Sequence, residues 1–305
     1  MPITQQELSL AFKKQDSFYL KKIHLYLNII YSHIIFGHES TLLLEANDWA
    51  IFKLIETTWL THELNDCENR YNCNLNFSSS DEVKTILRNH PVYEHSLFTY
   101  LERKSSFEDM KFYLQNESVL NLEFFEYLAL SLLGASDFAR KEIMHHLWDE
   151  CGRGRLHHYH TNQFRSCLKS FGLSYQRDQI IKGMSWEGLA GINYFAALSH
   201  VGIHKMKYYG FLAATELLDP PHHARLVRGL NRIQGAYPLN IKYYLANQQV
   251  DRKQRTSWID NVILPLLEKT PEAVTDFWLG FYLRLDSALR YYDHTLLSLS
   301  KQQAA

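Results

Sequence analysis

The amino-acid sequence predicts an almost entirely helical protein, and three observations support this prediction. Only 13 Gly and 7 Pro occur in 305 residues, so few positions interrupt regular structure. Long stretches carry apolar residues three and four positions apart, and no stretch shows the alternation of a half-buried strand. With 46% hydrophobic and 21% charged residues, the chain has the composition of a globular protein with a sizeable core.

Two helices are predicted in the N-terminal part of the chain. Apolar residues recur at helical spacing over residues 20–36 and again over residues 49–64. The polar run 65–80 ends in three serines and is the strongest candidate for a loop. We therefore predict a domain boundary near residue 85, with an N-terminal helical extension over residues 1–85 and a helical domain over residues 86–300.

The predicted domain is a series of helices joined by short connections. Ser136 or Asp137 is a suitable N-cap for the helix that ends at Glu150. Pro220 and Pro221 are expected to end a later helix, because proline lacks the N–H that a helix interior needs. The predicted helices cover residues 93–104, 106–116, 120–133, 137–150, 194–218, 238–267 and 271–299.

The charge balance and the cysteines exclude several classes of function. Lys and Arg number 32 and Asp and Glu number 33, so no broad field favours a nucleic acid or an anionic membrane as a partner. The four cysteines are irregularly spaced and are predicted to be free thiols, as in a reducing compartment. No signal-peptide pattern and no apolar run of about 18 residues occurs, which predicts a cytoplasmic protein.

The densest cluster of metal-ligand residue types lies within residues 142–160. On a continuous helix with about 100° per residue, His146, Glu150 and His157 fall within roughly 40° of one another. His160 lies about 80° from that face and joins it only if the Gly-Arg-Gly step rewinds the helix. The alternative is a set of surface histidines, because such a cluster binds metal only with ligands from other elements.

Polar residues in two other regions are further candidates. Asn247, Asp251 and Gln254 are spaced to share one helix face. If that face is buried, these groups need each other, water or an ion; if it is exposed, they need no special explanation. Glu126 and Glu216 are single carboxylates within apolar helical runs, where a carboxylate is unfavourable unless it has a partner.

Two of these segments resemble motifs of one family. Residues 149–154 read Asp-Glu-Cys-Gly-Arg-Gly and are followed by His157 and His160, which is similar to the family pattern Asp-Glu-x-Gly-x-Gly followed by a histidine. The segment that begins Tyr-Gly and ends at Glu216 resembles a second motif, an aromatic residue and glycine followed by glutamate. The family is that of the haem-oxygenase-like diiron oxidases and oxygenases, often labelled iron-containing redox enzymes.

A third family motif, His-x-x-x-Asp-x-x-His, falls in register on Asn247, Asp251 and Gln254, so the aspartate matches and both histidines differ. The resemblance covers roughly residues 90–258 and implies an all-α, haem-oxygenase-like helical bundle after the N-terminal extension. Members typically use two irons and O₂ to oxidise amines, fatty acids or their own tyrosines. The resemblance implies iron ligation by Glu150, His160, Glu216 and Asp251, with Glu126 near an extra carboxylate and His157 as the competing imidazole.

The two replaced histidines leave three predicted states of the centre. Imidazole is a strong iron ligand and an amide a weak one, so Asn247 and Gln254 weaken at least one metal position. The site then holds a single iron, or recruits His146, His157 or His158 as a substitute, or binds no metal. The first two states predict a nonheme iron-dependent oxidoreductase or oxygenase that uses O₂, one or two Fe ions and a small-molecule substrate, and they leave a homodimer open. The third predicts a non-catalytic helical module that binds a ligand or partner.

Overall fold

The computed structural model describes residues 4–37, 45–248 and 256–304, and within these ranges it contains helices and turns without a strand. The all-α prediction is therefore confirmed. Within the same ranges, no helix has the length and apolar character needed to cross a membrane. The helices are α1 Gln5–Lys14, α2 Ser17–Phe36, α3 Ala46–Arg70, α4 Ser80–Asn89, α5 Ser96–Arg103, α6 Phe107–Leu130, α7 Asp137–Glu150, α8 His160–Ser170, α9 Arg177–Gly183, α10 Trp186–Ser199, α11 Lys205–Gln234, α12 Lys242–Gln248, α13 Leu264–Lys269 and α14 Val274–Ala304.

Several helices have bounds that differ from the predicted ones. Helix α3 continues to Arg70 and α6 is a single helix, whereas the sequence predicted a loop from residue 65 and two helices in place of α6. The predicted helix 194–218 is divided between α10 and α11, because the chain turns at Gly202–His204. Helices α1, α4 and α9 were not predicted. Residue 85 lies within α4, and the division of the chain into an extension and a domain stays a prediction.

Buried polar contacts attach the N-terminal helices to the rest of the bundle. Asn28 Nδ2 of α2 donates a hydrogen bond to Asn193 Oδ1 of α10 at 3.0 Å. Directly after α3, the Tyr71 hydroxyl donates to Asp286 Oδ1 of α14 at 2.7 Å. Burial raises the pKa of Asp286, but the hydrogen bonds from His90 and Tyr71 outweigh burial and hold the pKa below its ordinary value. The charged carboxylate of Asp286 therefore connects the end of α3 to α14.

Helix α11 continues through Pro220 and Pro221, so the prediction that these prolines end a helix was wrong. Pro220 has no N–H, and the carbonyl of Glu216 therefore receives no helical hydrogen bond from it. Packing on both sides of the prolines maintains the helix. In the second half, Gly229 lies so close to α5 that a Cβ there would be 2.4 Å from the Leu101 carbonyl oxygen.

Helices α11 and α14 cross at two glycines. A Cβ at Gly210 would lie 2.0 Å from the Phe277 carbonyl oxygen, and a Cβ at Gly280 would lie 1.7 Å from the Lys207 carbonyl oxygen. Real Cβ contacts are much longer, so the two backbones touch only because both positions lack a side chain. The crossing fixes α11 less than two turns before Glu216.

Substitution Gly280→Ala is expected to destabilise the protein by about 1–3 kcal/mol or more, because the added methyl group meets backbone that cannot move independently. Urea denaturation followed by circular dichroism measures the change. Gly235→Ala is the matched control, since a Cβ at Gly235 meets nothing within 4 Å. Equal stability of the two variants would contradict the tight crossing.

Candidate functional site

A cavity of about 700 Å³ lies among helices α6, α7, α8, α10, α11 and α12. One wall is apolar and includes Leu120, Phe124 and Phe195. The opposite walls carry carboxylate, imidazole and guanidinium groups. The charged, polar and other lining residues include Asn121, His146, Asp149, Glu150, Arg153, Arg155, His158, His160, Gln163, Thr215, Glu216, Asp219, Pro220, His223, Tyr243 and Asn247.

Glu150 and His160 come together because the chain reverses between α7 and α8. Helix α7 ends at Glu150, and Gly152, Arg153 and Gly154 all have positive φ. A Cβ at Gly152 would lie 2.5 Å from the backbone carbon of His158, so only glycine fits this turn. The reversal starts α8 at His160, whose Nδ1 lies 3.0 Å from Glu150 Oε1.

The single helix face that would align His157 with Glu150 does not form, because α7 ends before the glycines. His157 is exposed, and its ring centroid lies 4.2 Å from that of the neighbouring His158. Of the two candidate histidines, His160 is the one that lines the cavity. The sequence contained the signal for this in the Gly-x-Gly step, which reverses the chain and does not rewind the helix.

His146 is buried in the wall of the cavity and contacts three polar residues from three parts of the chain. Its Nε2 lies 3.2 Å from Glu142 Oε1 and 3.2 Å from Ser257 Oγ, and its Nδ1 lies 3.6 Å from Glu216 Oε1. Burial lowers the pKa of His146, but the charges of Glu216 and Glu142 outweigh burial and raise it above its ordinary value. His146 therefore links two carboxylates across the cavity wall.

The pKa values of Glu142 and Glu216 are shifted in opposite directions. Burial raises the pKa of Glu142, but hydrogen bonds from His146, Ser257 and Asn261 outweigh it and lower the pKa to about 2. Burial raises the pKa of Glu216, the charge of His146 lowers it, and the charges of Asp219, Glu150 and Glu142 add to the effect of burial, so the pKa lies above its ordinary value. Glu142 is thus held as an anion, whereas the charged form of Glu216 is unfavourable without a further cation.

Asp219 and His223 also line the cavity, and the sequence did not predict either. They follow Glu216 by three and seven residues on α11, which is the spacing of one helix face. The spacing was hidden because the two prolines between them were read as a helix end. Burial lowers the pKa of His223, which favours the neutral imidazole that can serve as a ligand.

The other predicted site residues are placed as follows. Asn247 lines the cavity, and its Nδ2 donates to the Tyr243 carbonyl one turn earlier at 3.1 Å. Glu126 is partly buried on α6 and is not one of the cavity-lining residues. Asp251 and Gln254 lie outside the described residues.

The donor chemistry of the cavity fits iron. Carboxylate oxygens and imidazole nitrogens from Glu150, His160 and Glu216 are ligands that nonheme iron accepts. In the described ranges, no three His, Cys, Asp or Glu side chains are grouped closely enough to hold one ion. The donors are instead held in pairs, Glu150 with His160 and Glu216 with His146.

Comparisons with known proteins show the family and the fold of this chain. The chain matches the family described as iron-containing redox enzyme over residues 111–289. A CADD-like protein of unknown function from Nostoc punctiforme is structurally similar, with a TM-score of 0.56 and 16% sequence identity over 73% of this chain and 95% of that one. At this identity the likeness shows the fold alone, and it confirms the predicted haem-oxygenase-like bundle. No curated protein matches the chain.

Substitution Gly152→Ala is expected to lower the stability of the protein and to separate His160 from Glu150, because the methyl group would meet the His158 backbone at 2.5 Å. Gly172→Ala is the matched control, since Gly172 also has positive φ but has open space around it. Thermal unfolding should show a lower midpoint for Gly152→Ala than for Gly172→Ala. Equal midpoints would mean that positive φ alone, and not the close approach, requires glycine.

Substitution Glu142→Gln is expected to reduce the free energy of unfolding at neutral pH by about 2–3 kcal/mol. A carboxyl group whose pKa falls to about 2 on folding stabilises the protein above its ordinary pKa of 4.5, and this stabilisation is lost as the pH falls toward 2. Urea denaturation at a series of pH values should therefore show that the difference between wild type and variant shrinks below pH 4.5. A difference that is constant with pH would contradict the assignment.

Proposed function

Because the chain belongs to the iron-containing redox enzyme family, we propose that it is a nonheme iron-dependent oxidoreductase that uses O₂, with the 700 Å³ cavity as its active site. The main support is that Glu150, His160 and Glu216, on three different helices, face one cavity in the order of the family motifs. These three residues supply two carboxylates and one imidazole, and His146 on the same cavity wall brings the set to the two imidazoles and a carboxylate that suffice for nonheme iron with open positions.

Glu150, His160 and Glu216 would hold the iron, and His146 is the nearest further imidazole. Bound iron would supply electron transfer between O₂ and the substrate. Asn247 offers an amide in place of a histidine, so one metal position is weaker than the family pattern implies, and we propose a partly altered site with one or two ions. Asp251 and Gln254 belong to the same proposed set by resemblance.

The other cavity residues act on the substrate and on protons. The apolar wall of Leu120, Phe124 and Phe195 would hold a small organic substrate and exclude water beside it. Burial lowers the pKa of His160, but the hydrogen bond that its ring donates to Glu150 and the charge of Glu150 outweigh burial and raise the pKa. The contact with Glu150 therefore favours the protonated form of His160, and a metal bound to this pair would displace that proton.

One observation favours a second candidate, a helical module that binds a ligand or partner without catalysis. In the part of the chain that the structure describes, no three His, Cys, Asp or Glu side chains are grouped closely enough to hold one ion. In this case the cavity binds a small molecule through its apolar wall and its paired charges, and no iron is held.

Elemental analysis of protein purified anaerobically with ferrous iron distinguishes the two functions. We expect about one or two irons per chain and an absorption change on exposure to O₂. His160→Ala should weaken iron binding by about tenfold or more, whereas His157→Ala should leave it unchanged because His157 is exposed. A folded wild-type protein without iron would support the binding module. Loss of iron in His157→Ala alone would reverse the assignment of the histidine.

A further inference from the structure

A second, smaller cavity of about 60 Å³ lies between α6, α10, α11 and α14. Gly188 and Gly191 on α10 leave this space open toward Ser287 and Tyr291 of α14. A volume of this size exceeds what a single water molecule needs. Its wall includes the Glu117 carboxylate and the Arg284 guanidinium, so the cavity offers water several polar partners.

The second cavity adjoins the main one. Leu120 and Phe195 line both cavities and form the partition between them. Beside this partition, Arg284 Nε donates to Thr215 Oγ1 at 2.9 Å, and Arg284 Nη2 lies 3.5 Å from Asp219 Oδ1. Thr215 and Asp219 line the main cavity. A polar connection therefore runs from one cavity to the wall of the other.

Glu117 is the one carboxylate among the residues that line the second cavity. The pKa of Glu117 is raised to about 7, chiefly by burial. Tyr291 and the Arg284 charge lower this pKa, whereas the Asp219 charge raises it. A carboxyl group with such a pKa exchanges its proton near neutral pH. Among the described residues, the Glu117 charge contributes to the raised pKa values of the surrounding tyrosines Tyr113, Tyr243, Tyr244, Tyr291 and Tyr292.

We propose that the second cavity is a hydrated proton store, in which Glu117 holds a proton and delivers it to the main cavity. The carboxyl O–H of Glu117 gives its proton to a water molecule, and that water passes a proton to the Asp219 carboxylate. The Glu117 carboxylate left behind faces Arg284 and Tyr291, and it is recharged by one proton taken up from the bulk solvent through the cavity water. Use of the proton in the main cavity rests on the proposed oxidoreductase function, whereas its storage at Glu117 does not.

Infrared spectroscopy of the metal-free, full-length protein tests whether Glu117 stores a proton. We expect the absorption of a protonated carboxylic acid that disappears with a midpoint near pH 7. Glu117→Gln should remove this absorption, and Glu108→Gln should not, because Glu108 on the same helix is 75% exposed. Persistence of the band in Glu117→Gln would overturn the proposal.

A cavity-filling variant tests the role of the water. A Cβ at Gly191 would lie 3.6 Å from Ser287 Oγ, an ordinary contact, so Gly191→Ala adds a methyl group to the cavity without a clash. Loss of water should make the charged form of Glu117 less favourable and shift the infrared midpoint to higher pH. Gly183→Ala, where a Cβ has open space, is the control. An unchanged midpoint in Gly191→Ala would overturn the hydrated store.

Delivery is tested on the iron-loaded protein by the rate of the O₂-dependent absorption change. We expect Glu117→Gln to slow this rate on the order of 100-fold and to remove its pH dependence near 7, with the iron content unchanged. An unchanged rate at normal iron content would overturn delivery and leave the proposed function standing. A wild-type protein that binds no iron would overturn the proposed function and the delivery together, while the infrared titration still decides the storage.

Discussion

Helices α11 and α14 meet backbone to backbone at Gly210 and Gly280, where no side chain fits between them. This contact fixes the position of each helix along the axis of the other. Arg284 follows Gly280 by about one turn and donates to Thr215, which directly precedes Glu216 on α11. The helix that bears Glu216 is therefore held by a rigid crossing and by a guanidinium hydrogen bond, and it remains continuous through two prolines. The position of the cavity follows from this packing.

The cavity brings together carboxylates that repel one another. The pKa of Glu216 is raised first by burial and then by the neighbouring acidic groups Asp219, Glu150 and Glu142, and only His146 acts strongly in the opposite direction. Such a group of acids is stable when protons or cations neutralise part of the charge. A metal ion would replace protons in this role, because both compete for the same oxygen and nitrogen atoms. The electrostatics of the metal-free cavity thus favour a cation at its centre.

Local patterns in the sequence predicted the helical class, and the resemblance to a family indicated the two segments that carry Glu150, His160 and Glu216. These features depend on residue spacing within one helix or on one glycine turn, so they can be recognised in a single amino-acid sequence. Asp219 and His223 were missed because the packing that carries α11 through its prolines involves α5 and α14, which are distant in the sequence. The contact of His146 with Ser257 was missed for the same reason, since a helix period says nothing of a partner more than a hundred residues away.

Two carboxylates of the bundle and two at or beside the cavity have different kinds of partner. Glu63 and Glu123 are paired with arginines, Arg290 at 3.0 Å and Arg177 at 2.5 Å, and an arginine side chain stays charged at every physiological pH. Glu142 and Glu150 are paired with His146 and His160, at 3.2 and 3.0 Å. A histidine can lose its proton near neutral pH and then offers a nitrogen lone pair to a metal, which a guanidinium cannot do. These two arginine pairs therefore stabilise the bundle, whereas the Glu150–His160 pair can be opened by a change of proton or metal and lies on the wall of the proposed active site.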